Sequence, residues 1–238
     1  AGFITFASTI IKLFYHQKNE RASEASQAIV ITGCDSGIGL ELAKYFYNTT
    51  NYTIVCGFLD TASQGCEQIK RFTTRDETSR LVACKLDIRS RTDIKELTQV
   101  LDSMFEKEKI NQLCALVNNA GILFYGEFDW QAPGQIDDQI EVNLKGTINL
   151  THALLPYIIG SRGRIVNVSS VNDRVVFPGL SVYSATKSGL SSFSEGLCYE
   201  MRKFNVHVMT VRLGDFARLT NILARHKLNR DRMWSEMG

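Results

Sequence analysis

From Gln27 onward, short apolar runs alternate with longer stretches in which apolar residues recur every three or four positions. The runs are AIVIT (28–32), YTIVCGF (52–58), LVACKLD (81–87), LCALVNN (113–119), RIVNVSS (164–170) and VHVMTVRL (206–213). They are nearly continuous in apolar character and rich in β-branched residues, the pattern of parallel strands covered on both faces. Between them GLELAKYFY, GCEQIKRF, RTDIKELTQVLDSMFEKE, QIDDQIEVNLKGTINLTHALLPYI and YSATKSGLSSFSEGLCYEMRKF read as helices. Ile94, Leu97, Val100, Leu101 and Phe105, for instance, share one helix face. Strands alternating with helices imply βαβ units with right-handed crossovers. The expected fold is α/β, a doubly wound parallel sheet with helices on both faces, in three layers α/β/α.

No repeat, low-complexity tract or linker interrupts residues 27–238, which therefore read as one domain. Ahead of it, residues 1–26 combine the apolar AGFITFASTIIKLFY with the polar HQKNERASEAS. Fifteen residues carrying Lys12 are short of the roughly 20 that span a bilayer. The segment reads as an anchor remnant, an interfacial helix, a targeting segment or a packed amphipathic helix. If it is an anchor, Lys12, Lys18 and Arg21 favour a cytosolic or matrix-side domain, on the endoplasmic reticulum membrane or in the mitochondrion.

Composition narrows the function classes. The chain of 238 residues has 44% hydrophobic and 22% charged residues, ordinary for one globular domain. A net charge of +2, with no basic run interleaved with aromatics, argues against nucleic acid. Six scattered cysteines, without a C-x-x-C or paired ligand spacing, predict no metal site and free thiols in a reducing compartment.

Directly after the first strand, TGCDSGIGLELAKYF places Gly33, Gly37 and Gly39 on a strand-to-helix junction. The first glycine permits the tight turn, the second a close backbone approach to a pyrophosphate, and the third close packing of helix on strand. Amides at the helix start, around Ser36 and Ile38, then face the phosphate charge. The turn predicts a Rossmann-like dinucleotide site.

Farther along, Tyr183 stands four residues before Lys187, one helical turn away on the same face. By itself this spacing describes a solvated pair. The motifs around it change that reading. With Thr32 in front, TGCDSGIG resembles the short-chain dehydrogenase/reductase family, and NNAG (118–121), LDI (86–88), EVNLKG, NVSS and YSATK follow at family positions, so that the resemblance covers about 27–220.

The resemblance implies an NAD(P)-dependent alcohol dehydrogenase or carbonyl reductase. Tyr183 would be the general acid/base. Lys187 would lower its pKa and hold the nicotinamide ribose; a nearby ammonium favours phenolate, and a base tuned toward the working pH transfers protons best. Ser170, rather than its neighbour Ser169, would hydrogen-bond the substrate oxygen, and Asn143 would orient a water relaying protons from Lys187. Asn119, Ala120 and Gly121 would border the cofactor, and Asp87, followed by Ile88, would meet the adenine. Gly214 and Thr220 would contact the carboxamide end, although Leu213-Gly214 stands where the family has Pro-Gly.

NADP requires a cation in the glycine loop or after the second strand. The loop carries Asp35 and the strand end Asp60, with no arginine or lysine in either, so NAD is expected, with Asp60 on the ribose hydroxyls. TGCDSGIGLELAK, LLPYI, GRIVNVSSV and FSEGLCYEM are most similar to the branch of retinol, 17β-hydroxysteroid and 3-hydroxybutyrate dehydrogenases. Val175, Val176 and Phe177, in the loop expected to line the substrate pocket, suit a lipophilic steroid or retinoid. Arg174 suits a carboxylate such as (R)-3-hydroxybutyrate, the alternative. A catalytically idle dinucleotide sensor or scaffold is a second alternative on the same fold. The resemblance also implies a homodimer or homotetramer, and it predicts a last strand and substrate lid beyond Gly238.

Overall fold

A computed structural model of the protein describes residues 26–73, 80–214 and 222. The apolar segment ahead of Ser26 and the candidate Thr220 lie outside the described residues. Six strands form one sheet: β1 (Gln27–Thr32), β2 (Thr53–Phe58), β3 (Leu81–Lys85), β4 (Gln112–Asn118), β5 (Arg164–Ser170) and β6 (His207–Leu213). Their order is β3-β2-β1-β4-β5-β6, with every adjacent pair parallel. The predicted doubly wound α/β sheet is therefore the observed one, with boundaries shifted by at most two residues.

Strand alternation distributes the core between two helix layers. Ile29 and Ile31 of β1 pack with Leu42 and Phe46 of α1 (Gly37–Thr49) and Ile69 of α2 (Gln64–Thr73). Ala28 and Val30 point the other way, toward Leu97 and Leu101 of α3 (Arg91–Glu106). Ser90 begins α3 by accepting the Asp93 amide at 3.1 Å. The predicted apolar face of α3 holds: Ile94, Leu97 and Leu101 are buried, and Val100 and Phe105 pack against the same core.

The longest predicted helix is divided. It runs as α4 (Pro133–Ile140), a widened π-helical segment (Glu141–Gly146) and α5 (Thr147–Ser161). Apolar spacing specifies a helix but not whether its bonds close over four residues or five, so the sequence pattern carries no sign of the widening. Such segments concentrate at functional sites, and Asn143 sits in this one. The final helix, α6 (Ser181–Met201), brings Tyr183 and Lys187 beneath the end of β5.

Because β1 is flanked by β2 and β4, the order in which strands are added reverses there, from one side of β1 to the other. The crevice outside the carboxyl ends of these strands is where ligands bind in such sheets. Among the described residues no helix is long and apolar enough to cross a membrane, and no group of side chains could hold a metal ion. The six cysteines are free.

Candidate active site

One cavity of about 660 Å³ opens at that crevice and runs from the glycine turn to the start of α6. Its floor depends on two missing side chains. Gly33 adopts φ +70°, and a Cβ there would lie 2.9 Å from the Ala120 Cα. A Cβ at Gly39 would come 2.3 Å from the Gly33 carbonyl oxygen and 2.6 Å from Asn119 Nδ2. The turn is tied to β4 as well. Thr32 Oγ1 accepts the amides of Asn119 and Ala120 at 3.0 and 2.9 Å, and Asn119 Nδ2 donates to the Thr32 carbonyl at 2.9 Å. Ser36 is extended ahead of α1, so the free amides of the helix start face the cavity beside Gly37 and Ile38. This is a cradle that bound pyrophosphate would fill, with Gly33, Ser36, Gly37, Ile38, Asn119, Ala120 and Gly121 on its walls.

Asp60 takes a different place from the one expected of it. It is exposed and absent from the cavity lining, and its carboxylate accepts the Ala62 amide at 2.8 Å, within its own turn. Its position two residues past β2 lets the chain bend away first. Asp35, on the glycine turn, occupies the space instead. Its carboxylate accepts the amides of Leu59 and Asp60 at 3.0 and 2.9 Å while lining the cavity. Asp87 and Ile88 line it too. The hydrogen-bonding Arg89 guanidinium holds the Asp87 carboxyl below its usual range, and that guanidinium bridges at 2.8 Å to Asp138 of α4.

At the other end four predicted residues converge. Tyr183 is 6% exposed, with Lys187 Nζ 5.8 Å from its ring centroid. Lys187 is buried and donates to the Val168 carbonyl at 3.0 Å. Burial pushes its ammonium down to about 8, against the pull of Asp173. Ser170 ends β5 beside the phenol, and its hydroxyl donates to Asn172 Oδ1 at 3.0 Å and accepts the Asn172 amide at 3.2 Å. Ser169, alternating to the other side, has its hydroxyl turned to the Lys187 carbonyl at 3.4 Å and to Ser191 at 3.3 Å.

Two expectations about this cluster need correction. The ammonium was expected to lower the phenol's pKa, yet in the protein alone burial raises it, with Ser170 only opposing. Desolvation disfavours the charged phenolate. Asn143 was expected to orient a water. Its amide is instead spent on protein: Oδ1 accepts the Ile122 amide at 2.8 Å, and Nδ2 donates to the Ile122 carbonyl at 2.9 Å and to Thr186 at 3.1 Å. Asn143 therefore pins the chain that follows Gly121, where a Cβ would sit 3.3 Å from Asn143 Oδ1 and 3.4 Å from Lys187 Nζ.

The cavity wall beyond Tyr183 is apolar, formed by Leu123, Tyr125, Val171, Phe177, Leu180 and Leu213, with Gly214 and Ile222 at the rim. The loop expected to line the pocket does so through Val171, Asn172, Phe177 and Leu180. Val175 and Val176 are 52% and 61% exposed, and Arg174 is exposed and outside the lining. Tyr125 and Ile222 escaped the sequence reading because each arrives from a segment without a motif. Thr32 was legible only as the residue preceding a glycine.

Comparison with known proteins bears on this geometry. A family model described as short chain dehydrogenase matches residues 27–230. The mitochondrial D-beta-hydroxybutyrate dehydrogenase of Bos taurus is 33% identical over 217 residues, covering 89% of this chain and 61% of that protein. The 17-beta-hydroxysteroid dehydrogenase type 6 of Bos taurus is 37% identical over 191 residues, covering 79% of this chain and 56% of the relative. The chain thus spans less than two thirds of the length of these curated relatives. Among solved structures, a 3-ketoacyl-(acyl-carrier-protein) reductase from Brucella melitensis complexed with NADH superposes with a TM-score of 0.71 at 26% identity, covering 87% of this chain and 82% of that one.

Proposed function

Since this chain belongs to the short chain dehydrogenase family, we propose that it is an oxidoreductase moving hydride between NAD(H) and an apolar secondary or primary alcohol of steroid or retinoid type. The observation that carries the reading is a buried Tyr183–Lys187 pair and Ser170 sharing one cavity with a glycine cradle. When bound, the nicotinamide supplies the hydride acceptor or donor and, in its oxidised form, a positive charge. The chain's own residues do the rest. Ser170 Oγ holds the substrate oxygen, and Tyr183 Oη takes the hydroxyl proton on oxidation or returns it on reduction. Lys187 keeps a positive charge near that phenol and faces the ribose. The apolar wall excludes water from the reacting carbon, which strengthens these interactions.

Asp35 supports NAD over NADP. Its carboxylate is fixed on the amides at the end of β2, so a 2′-phosphate there would meet like charge, and no lysine or arginine accompanies it. Asp35→Asn is expected to raise the ratio of kcat/KM for NADP over that for NAD by about tenfold, the equivalent of about 1.4 kcal/mol of relieved repulsion. An unchanged ratio would remove Asp35 from cofactor selection.

The apolar wall favours the lipophilic substrate over a short hydroxy acid. A carboxylate needs a free cation, and among the described residues that line the cavity Arg89 is paired with Asp87 and Asp138 while Lys187 is buried beside Tyr183. Absorbance at 340 nm with NAD, across steroids, retinol and 3-hydroxybutyrate, tests the reading. Turnover of a steroid or retinol supports it, and turnover of 3-hydroxybutyrate alone replaces the substrate class. NAD binding without turnover of any alcohol leaves the idle sensor.

A further inference from the structure

We propose that Asp173 is a positioning residue for Lys187: a buried carboxylate that fastens the root of the loop after Ser170 to helix α6 and steadies the ammonium used in proton transfer. The proposal rests on the dehydrogenase reading above for its use, but its geometry stands independently. Asp173 closes a short 3-10 turn (Val171–Asp173) three residues past Ser170, and its side chain has no exposure.

Four elements meet on this one residue. Its Oδ2 accepts from Ser169 of β5 at 3.3 Å, from Ser191 of α6, and from Arg212 Nε of β6 at 2.7 Å. Its carbonyl accepts Ser188 Oγ at 3.0 Å. Ser188 and Ser191 lie one and four residues beyond Lys187, so the helical turn bearing the lysine is held from the side of the substrate loop. Ser169 completes the link, lying within hydrogen-bond reach of both Asp173 Oδ2 and the Lys187 carbonyl.

Hydrogen bonding alone does not explain the choice of aspartate. Asp173 Oδ1 is buried with no hydrogen-bond partner, so half of the carboxylate is bonded to nothing. A buried, incompletely compensated anion is a burden on the fold unless its charge serves another group. Among the described residues, the charged or titratable groups facing Lys187 are Tyr183 from its own helix, Asp173 from the 3-10 turn and, through Asp173, Arg212 of β6. From β5 the Val168 carbonyl accepts from the ammonium at 3.0 Å. Asp173 is therefore the anion opposing desolvation of the ammonium. Arg212, whose side chain is 38% exposed, offsets part of that anion from the solvent side.

Two substitutions of opposite electrostatic sign test this in the full chain. Asp173→Asn keeps an acceptor but removes the charge, and Arg212→Gln leaves the carboxylate unpaired. The Lys187 ammonium is followed by NMR of its labelled ε-carbon, assigned with Lys187→Met, and kcat is measured against pH with NAD and the alcohol turned over. In Asp173→Asn the lysine midpoint and the alkaline fall in kcat should move to lower pH, with kcat at pH 8 falling about tenfold to a hundredfold as the group is displaced. In Arg212→Gln the same midpoint should move to higher pH. If both folded variants titrate as the parent does, the proposal is overturned. Should Asp173→Asn not fold, the direction of the Arg212→Gln midpoint decides alone. If the parent oxidises no alcohol, the lysine midpoints still decide for or against Asp173, and the dehydrogenase reading is what fails.

Discussion

Tyr183→Phe is expected to lower kcat by about a thousandfold or more while NAD affinity stays within a few-fold of the parent. A positioned general acid/base contributes typically ~10²–10⁴ to rate, and phenylalanine retains everything of this side chain except the oxygen. The ring is 6% exposed and lies under the Lys187 ammonium, so the substitution preserves packing and the cation–ring contact. Only the hydroxyl beside Ser170, the proton carrier, is lost. The phenol's pKa is raised by burial in the protein alone. Oxidation should therefore speed up with rising pH until Lys187 loses its proton, with that rising limb absent in the phenylalanine variant. Stopped-flow absorbance at 340 nm and NAD titration by protein fluorescence measure the two quantities. Turnover above about a hundredth of the parent's would take Tyr183 out of the chemistry.

Lys187→Met should be inactive and yet more stable at neutral pH. The lysine is buried, with its ammonium pushed down to about 8, below the roughly 10.4 of an unfolded chain. Between those values the folded protein holds fewer protons than the unfolded one, so its stability rises with pH across that window. It is lowest below pH 8, where the fold must carry a buried charge. Methionine removes that burden at the loss of one hydrogen bond to the Val168 carbonyl. The variant should gain about 2–3 kcal/mol over the parent at pH 7, and the gap should close toward pH 10. Urea denaturation of both proteins at the two pH values gives the difference, with the titrations of cysteine and Tyr183 common to both. A gap unchanged by pH would mean that Lys187 titrates alike in the folded and unfolded chains, so that burial does not displace it. A site that lowers its own stability in this way is what stability–activity trade-offs predict.

The two corrections at the site share a cause. That Tyr183 and Lys187 share a helix face follows from four residues of spacing, but the sign of their mutual effect depends on how dry the space between them is. Dryness is set by β5, the π segment and the loop after Ser170, none of them adjacent in sequence. Asn143 could be singled out by its motif, yet its three hydrogen bonds go to Ile122 and Thr186, 21 and 43 residues away. Asp60 and Asp35 exchanged places because the count along the chain says how far an aspartate is from a strand end and nothing of where the chain turns afterward.

Local periodicity was enough to define the six strands, the helices between them and the doubly wound order, because burial on both faces of a parallel strand is written as an unbroken apolar run. The glycine spacing was likewise self-sufficient, since Gly33 and Gly39 are demanded by backbone contacts of 2.9 Å and 2.3 Å that no side chain fits. The π-helical widening, the substitution of Asp35 for Asp60, the depth at which Lys187 lies and the Asp173 clamp emerged only on folding. The Asp35 bonds span 24 and 25 residues and the Asp173–Arg212 bond 39, and the energy of a charge or hydrogen bond depends on partners and dielectric that chain order does not encode.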